Sequence, residues 1–324
     1  MPVLPSPNYR PPFPFTSGHL QTLYPTLFRR TPVTNPVRER LETPDGDFVD
    51  IDWHRSMTGS SVQLAIVSHG LEGHSRKKYP LGMARILSDH GWDVICLNFR
   101  GCSGEPNRLP RLYHSGVTDD LHRVICHGLE RTYESVALIG FSMGGNQTLK
   151  YLGEAPDLVP NRVRGAVVFS VPCWLGEAAE VMSRPSNRPY MRYFMNGLKE
   201  KIREKAHRFP GLIDTRGLDE MITFEPFDDK YTAPIHGFED AADYYRRCSS
   251  AQFLDAIRVP TLIVQAQDDP FLPPSCYPFD AAERNPRLFL EVAEFGGHVG
   301  FMGSWLESYY WSEKRALAFL DEII

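Results

Sequence analysis

Six short, uninterrupted apolar runs limit most tightly what this chain can fold into. They are LAIVSHG (64–70), WDVICLNFRG (92–101), VALIGFS (136–142), GAVVFSVP (165–172), PTLIVQAQDD (260–269) and LFLEVAEF (288–295). Continuous rather than alternating apolar residues suit strands buried on both faces of a parallel sheet. Helix candidates lie between and after them: KKYPLGMARILSDHG (77–91), VTDDLHRVICHGLERTY (117–133), GNQTLKYLGEA (145–155) and SEKRALAFLDEII (312–324). Thr118, followed by Asp119 and Asp120, reads as a helix start, with its hydroxyl as the cap and two acids in the first turn. Before the first run, RERLE and FVDIDWHR flank Asp45-Gly46, a strong hairpin signal. Strand–helix alternation of this kind predicts an α/β fold, a mostly parallel central sheet flanked by helices.

Two segments depart from the alternation. Residues 1–37 are proline-rich, and proline removes a backbone donor and fixes φ. They are expected to wrap the body irregularly rather than form a helix. Between Pro172 and Pro260 no strong strand signal occurs, while YMRYFMNGLKEKIREKAHRF (190–209) and EDAADYYRRCSS (239–250) have helical character. A structureless loop of that length is improbable in a compact domain. The expected organisation is therefore an N-terminal wrap over 1–37, a core over 38–172 and 260–324, and a helical cap insertion over 173–259. A chain of 324 residues accommodates one large domain with such an insertion.

Composition excludes several function classes. Hydrophobic residues make up 42% and charged residues 23%, enough for a substantial core. The formal net charge of −5, without a basic stripe, argues against nucleic acid. No apolar stretch is long enough to span a bilayer, and the prolines of MPVLPSPNYRPPFPF interrupt any signal-peptide helix. The six cysteines are scattered with no CxxC pair, as in a reduced, cytoplasmic protein. His69 and His74 lack a third ligand at useful spacing, so no metal is expected. Neither GxxxxGK[ST] nor GxGxxG occurs, so no phosphate-loop or dinucleotide cofactor is expected.

Gly140-Phe141-Ser142-Met143-Gly144-Gly145 carries the chemistry. It fits G-x-S-x-G, follows an apolar run and leads into a helix candidate. On a tight strand-to-helix turn the serine hydroxyl projects above the sheet, and the helix N-terminus offers N–H groups to a developing oxyanion. A serine hydroxyl needs a base, and in this architecture the acid and then the histidine follow it in sequence. His298 in EFGGHVGF follows the last strand candidate, with Gly296, Gly297 and Gly300 freeing its backbone. Asp268 and Asp269 end the preceding one. Asp269 is favoured as the acid, with Asp268 capping or hydrogen-bonding locally. His69-Gly70-Leu71 ends the first run, so the N–H groups of Leu71 and Met143 are the expected oxyanion donors. His69 is expected to hydrogen-bond its loop, His19 to pack at the surface, Ser103 to sit in a structural turn and SRKKY (75–79) to be a solvated face. Trp174, Tyr190, Met191, Tyr193, Phe194 and Met195 divide between the insertion's own core and an acyl-chain pocket.

With these residues in view the chain resembles the α/β-hydrolase superfamily, and within it the branch of YheT-like esterases and ABHD lipases. The marks are SGHLQT (17–22), SHGLEGHS (68–75), NFRGCSGEPN (98–107), YHSGVTDDL (113–121), GFSMGGN (140–146), FDDKYTAP with its following GF (227–238), QAQDDPF (265–271) and GGHVGF (296–301). The resemblance implies Ser142 as nucleophile, Asp269 as acid, His298 as base, and hydrolysis of carboxylic esters, including acylglycerols and short- or medium-chain esters. The implied partner is a small ester or lipid. The same triad could serve a thioesterase, amidase or acyltransferase, and a non-catalytic scaffold is the rival class. Weak contact with a membrane surface would fall to the basic stretch Lys199 to Arg208, diluted by Glu200 and Glu204.

Overall fold

The hairpin signal and the six apolar runs become eight strands. They are β1 (Val37–Glu42), β2 (Phe48–His54), β3 (Gln63–Ser68), β4 (Asp93–Leu97), β5 (Ser135–Phe141), β6 (Val163–Phe169), β7 (Thr261–Ala266) and β8 (Leu288–Ala293). The structure, a computed structural model, describes residues 3–7, 9–32, 34–303 and 307–324. The strands form one sheet in the order β1-β2-β4-β3-β5-β6-β7-β8. The β1–β2 hairpin turns at Gly46, whose φ of +82° suits glycine and whose N–H donates to the Thr43 carbonyl at 3.0 Å. β2 also runs antiparallel to β4, and every other pairing is parallel. Alternate residues of each buried strand therefore feed two separate cores. Leu64, Ile66, Leu138 and Val168 face one, and Ala65, Val67, Ile139 and Val167 face the other.

The segment before the sheet holds a helix that the proline count hid. Here α1 spans Gly18–Phe28, so the expectation of an irregular wrap over 1–37 is corrected. Most of the prolines lie upstream of Gly18, and Pro25 alone falls inside the helix. Farther upstream the chain does run along the sheet: Val3 bridges Leu290, and the Ser6 hydroxyl donates to the Val292 carbonyl.

Helices α2 (Lys78–Asp89), α3 (Asp119–Leu129) and α4 (Met143–Glu154) follow in order. α3 and α4 pack on the first core and α2 on the second. Thr118 stands at the start of α3, but its hydroxyl donates to Glu154 of α4 instead of capping its own helix. Asp120 in that first turn instead pairs with the buried Arg100 at 2.7 Å.

Between β6 and β7 lie α5 (Leu175–Met182), α6 (Arg188–Arg208), α7 (Phe224–Phe227), a π-helical turn at Asp228–Thr232, α8 (Ala233–His236) and α9 (Ala241–Cys248). Helices α5 to α8 and the π-helical turn share a core of Met182, Met191, Met195, Ile202, Phe227 and Tyr231, closed by Leu112 and Phe271, while Tyr244 and Cys248 of α9 pack on Leu175 of α5. The 3-10 stretch Ser250–Ala256 packs against α4, where a Cβ on Gly153 would lie 2.2 Å from the Phe253 carbonyl oxygen. After β7 come α10 (Phe279–Arg284), then β8 and α11 (Trp311–Ile323), which covers the second core beside α2. Among the described residues no helix is long and apolar enough to cross a membrane.

Several basic side chains in the second half of α6 turn to protein partners. Lys201 pairs with Glu72, Lys199 donates to the Asp219 carbonyl, Arg203 pairs with Asp219, and Lys205 donates to the Asn107 and Leu109 carbonyls.

Candidate active site

The carboxyl ends of the parallel strands β3, β5, β7 and β8 converge on one cavity, as expected for an open α/β sheet. Ser142 follows β5 directly and precedes α4, with φ +54° and ψ −119°. That backbone is strained for any residue with a side chain. It persists because both neighbouring glycines are required. A Cβ on Gly140 would lie 2.5 Å from the Gly144 carbonyl oxygen, and one on Gly144 would lie 2.5 Å from that of Ser68. The Ser142 N–H donates to the Phe169 carbonyl at 2.8 Å, fixing the turn to β6.

The structure brings Ser142, His298 and Asp269 into one hydrogen-bonded row. His298 Nε2 lies 2.8 Å from Ser142 Oγ, and His298 Nδ1 lies 2.9 Å from Asp269 Oδ2. A carboxylate only accepts, so the Nδ1 proton points to Asp269 and Nε2 is free to accept from the serine hydroxyl. The Asp269 side chain is fully buried and also accepts from the Phe271 N–H at 2.9 Å. Asp268 bonds its own backbone N–H, as a local role would have it, and does more. Its carboxylate crosses to the next loop and accepts the Gly297 N–H at 2.8 Å. The two aspartates thus divide the work, one meeting the imidazole and the other holding the backbone that carries it.

Sequence reasoning missed several residues that position this row. Thr22 of α1 accepts the His298 N–H at 2.9 Å, and Ser170 accepts the Val299 N–H at 2.9 Å. α1 presses on both loops: a Cβ on Gly18 would lie 1.8 Å from the Asp268 carbonyl oxygen, and one on Gly300 would lie 2.4 Å from that of Gln21. The Phe271 ring stacks obliquely on His298, with centroids 4.3 Å apart. It also meets Tyr190 of α6, whose hydroxyl bonds His19 Nδ1 at 3.0 Å. His19 therefore ties α1 to α6.

The loop after β3 is built with similar care. His69 is buried, and burial pushes its pKa down to about 3, so the ring is neutral. The Phe99 N–H donates to His69 Nε2 at 3.2 Å, which places the proton on Nδ1, and Nδ1 donates to the Gly70 carbonyl at 2.7 Å. In a trans peptide the Gly70 carbonyl and the Leu71 N–H point in opposite directions. Fixing one aims the other. Tyr79 accepts the Gly70 N–H at 2.8 Å, so SRKKY is a solvated face only in its middle: Arg76 is exposed, while Ser75 and the Tyr79 hydroxyl are anchored inside. The Ser103 hydroxyl, in the turn after β4, donates to Asp50 of β2 at 2.7 Å.

Leu71 and Met143 line the same cavity as Ser142 and His298. Met143 opens α4, where the first N–H groups have no partner inside the helix. One wall of the cavity is apolar, formed by residues such as Leu175, Ala179, Met182, Phe194 and Phe271. The space open inside is about 120 Å³. Of the insertion's aromatic and methionine residues, Phe194 lines the cavity, Tyr190, Met191 and Met195 belong to the insertion's core, and Trp174 and Tyr193 are exposed. Among the described residues no cluster of His, Cys, Asp and Glu is arranged to hold a metal ion.

This architecture has known relatives. A family model described as alpha/beta hydrolase fold matches residues 66–212. The protein named "Putative esterase YheT" from Escherichia coli K12 is 39% identical over 307 residues, spanning 93% of this chain and 89% of the relative. The chain belongs to the α/β-hydrolase family. It is also 29% identical to the human Phospholipase ABHD3, over 95% of this chain and 77% of that protein. It is 30% identical to the Monoacylglycerol lipase of Saccharomyces cerevisiae, over 74% and 54%. The Pyrococcus furiosus esterase Pf2001 superposes with a TM-score of 0.61 at 15% identity, over 90% of this chain and 91% of that one, a likeness of fold.

Proposed function

We propose that the protein is a serine hydrolase of carboxylic esters, with Ser142 as nucleophile, His298 as base and Asp269 as the orienting acid. The observation that carries this reading is the unbroken row Ser142–His298–Asp269, at 2.8 and 2.9 Å, opening into a largely apolar cavity. His298 Nε2 takes the hydroxyl proton as Ser142 Oγ bonds to the ester carbonyl carbon. The Leu71 and Met143 N–H groups hold the resulting oxyanion. His298 then passes the proton to the departing alcohol, leaving the acyl group on Ser142. A water molecule, deprotonated by His298, releases the acid and restores the serine. The esterase and lipase names of the relatives support an ester as substrate. An engineered apolar cavity of similar size holds benzene, so the pocket suits a short- or medium-chain acyl group.

Active-site titration tests the nucleophile. A fluorophosphonate probe is expected to add once to the wild type by intact mass and not at all to a folded Ser142→Ala variant. Equal labelling of both would overturn the assignment.

A further inference from the structure

The cavity that holds Ser142 and His298 has a second, polar wall which ester cleavage by the triad does not use. It is formed by His114, Ser115, Asp228, Thr232 and the two tyrosines of α9, Tyr244 and Tyr245. Asp228 stands out. It lies in the π-helical turn Asp228–Thr232, a local irregularity of a kind that recurs at functional sites. Its carboxylate accepts from the Thr232 hydroxyl at 2.5 Å and from the Tyr245 hydroxyl at 2.7 Å. Among the described residues no lysine, arginine or histidine forms an ion pair with it.

A carboxylate offers about four lone-pair sites, so two neutral donors leave part of its capacity free. Burial pushes its carboxyl up to about 6, the signature of a charge kept from water without a compensating cation. The neighbouring aspartate has the structural role, since Asp229 accepts the Ala241 N–H at 3.0 Å and holds the start of α9. Asp228 also ties its turn to α9 through Tyr245, an anchoring that a neutral acceptor would serve without the cost of a buried charge.

Resting on the ester-hydrolase reading, we propose that Asp228 is a specificity residue that takes a proton-donating group, hydroxyl or ammonium, on the substrate's alcohol portion. The apolar wall then receives the acyl chain and the polar wall receives the alcohol. Preferred substrates are esters of polyols or amino alcohols rather than simple alkyl esters. A site built to satisfy a buried polar group rejects an analogue that leaves the group unpaired.

Three esters with one hexanoyl chain test this: ethyl, glyceryl and ethanolamine. The readout is each polar ester's kcat/KM divided by that of the ethyl ester, a ratio independent of the amount of active enzyme. Wild type is expected to favour at least one polar ester by about tenfold or more, the usual worth of a hydrogen bond to a charged group. Which ester it favours tells hydroxyl from ammonium. Asp228→Asn is expected to bring the ratio near one, while Asp229→Ala, which loosens the start of α9 without entering the cavity, keeps the preference. A wild type that cleaves all three alike overturns this proposal and leaves the esterase reading standing. An Asp229→Ala variant that loses the preference as fully as Asp228→Asn also overturns it, because the preference would then depend only on how α9 is seated. A folded wild type that cleaves none of the three defeats the esterase reading itself.

Discussion

Ser142 shows how single residues set this site. Its backbone is strained at φ +54°, and Gly140 and Gly144 give way around it, so the hydroxyl stands clear of the sheet. Asp269 has the complementary role of fixing the imidazole tautomer. Asp269→Asn keeps the shape but presents the wrong hydrogen-bond partner, and kcat is expected to fall by about 10⁴-fold, as in serine-protease triads. Thermal melting is expected to change little. Retained activity in this variant would exclude the role.

Asp228 makes a further prediction, with a sign fixed by linkage. Its folded pKa, about 6, lies above the ordinary value of 3.8. Its stabilising contribution is thus complete below about pH 4 and lost as pH rises through about 6. Asp228→Asn is expected to stabilise the protein at pH 8, by at most about 3 kcal/mol, and to give little gain at pH 4.5. Urea unfolding at the two pH values measures this.

At the scale of elements, the loop after β3 and helix α6 form one mechanical unit. Lys201 of α6 reaches both oxygens of Glu72 at 2.7 Å, and Glu72 follows the proposed oxyanion donor Leu71 with φ +53°. A Cβ on Gly197 would lie 2.2 Å from Glu72 Oε2, so α6 sits directly on the loop. Lys201→Met is expected to lower kcat by about tenfold, the cost of a loosened donor, with a smaller change in KM. Lys201→Arg, which keeps charge and reach, is expected to recover most of it. A change in KM alone would place the pair in binding instead. None of this was visible in the sequence, because Glu72 and Lys201 are 129 residues apart and each reads as an ordinary surface charge. The strands were visible because burial on both faces demands unbroken apolar runs. α1 was not, because the prolines before Gly18 lent their character to the whole segment.

The whole molecule is a sheet whose strand ends gather distant loops around one serine. Order along the chain was legible: Ser142, Asp269 and His298 follow one another as such sheets place them, and the glycines around Ser142 and His298 flag sharp turns. The support around them was not. Thr22 meets His298 across 276 residues, and Asp268 reaches Gly297 in the next loop, pairings that exist only once the sheet has closed.

The proposed mechanism stands or falls on whether this assembly cleaves esters through Ser142. The direct measurement is hydrolysis of p-nitrophenyl esters from two to sixteen carbons by the wild type and by Ser142→Ala. Turnover by the wild type with a short- or medium-chain optimum, abolished in the folded variant, is the predicted result. Equal turnover by both proteins, or none by a folded wild type across the series, would contradict it.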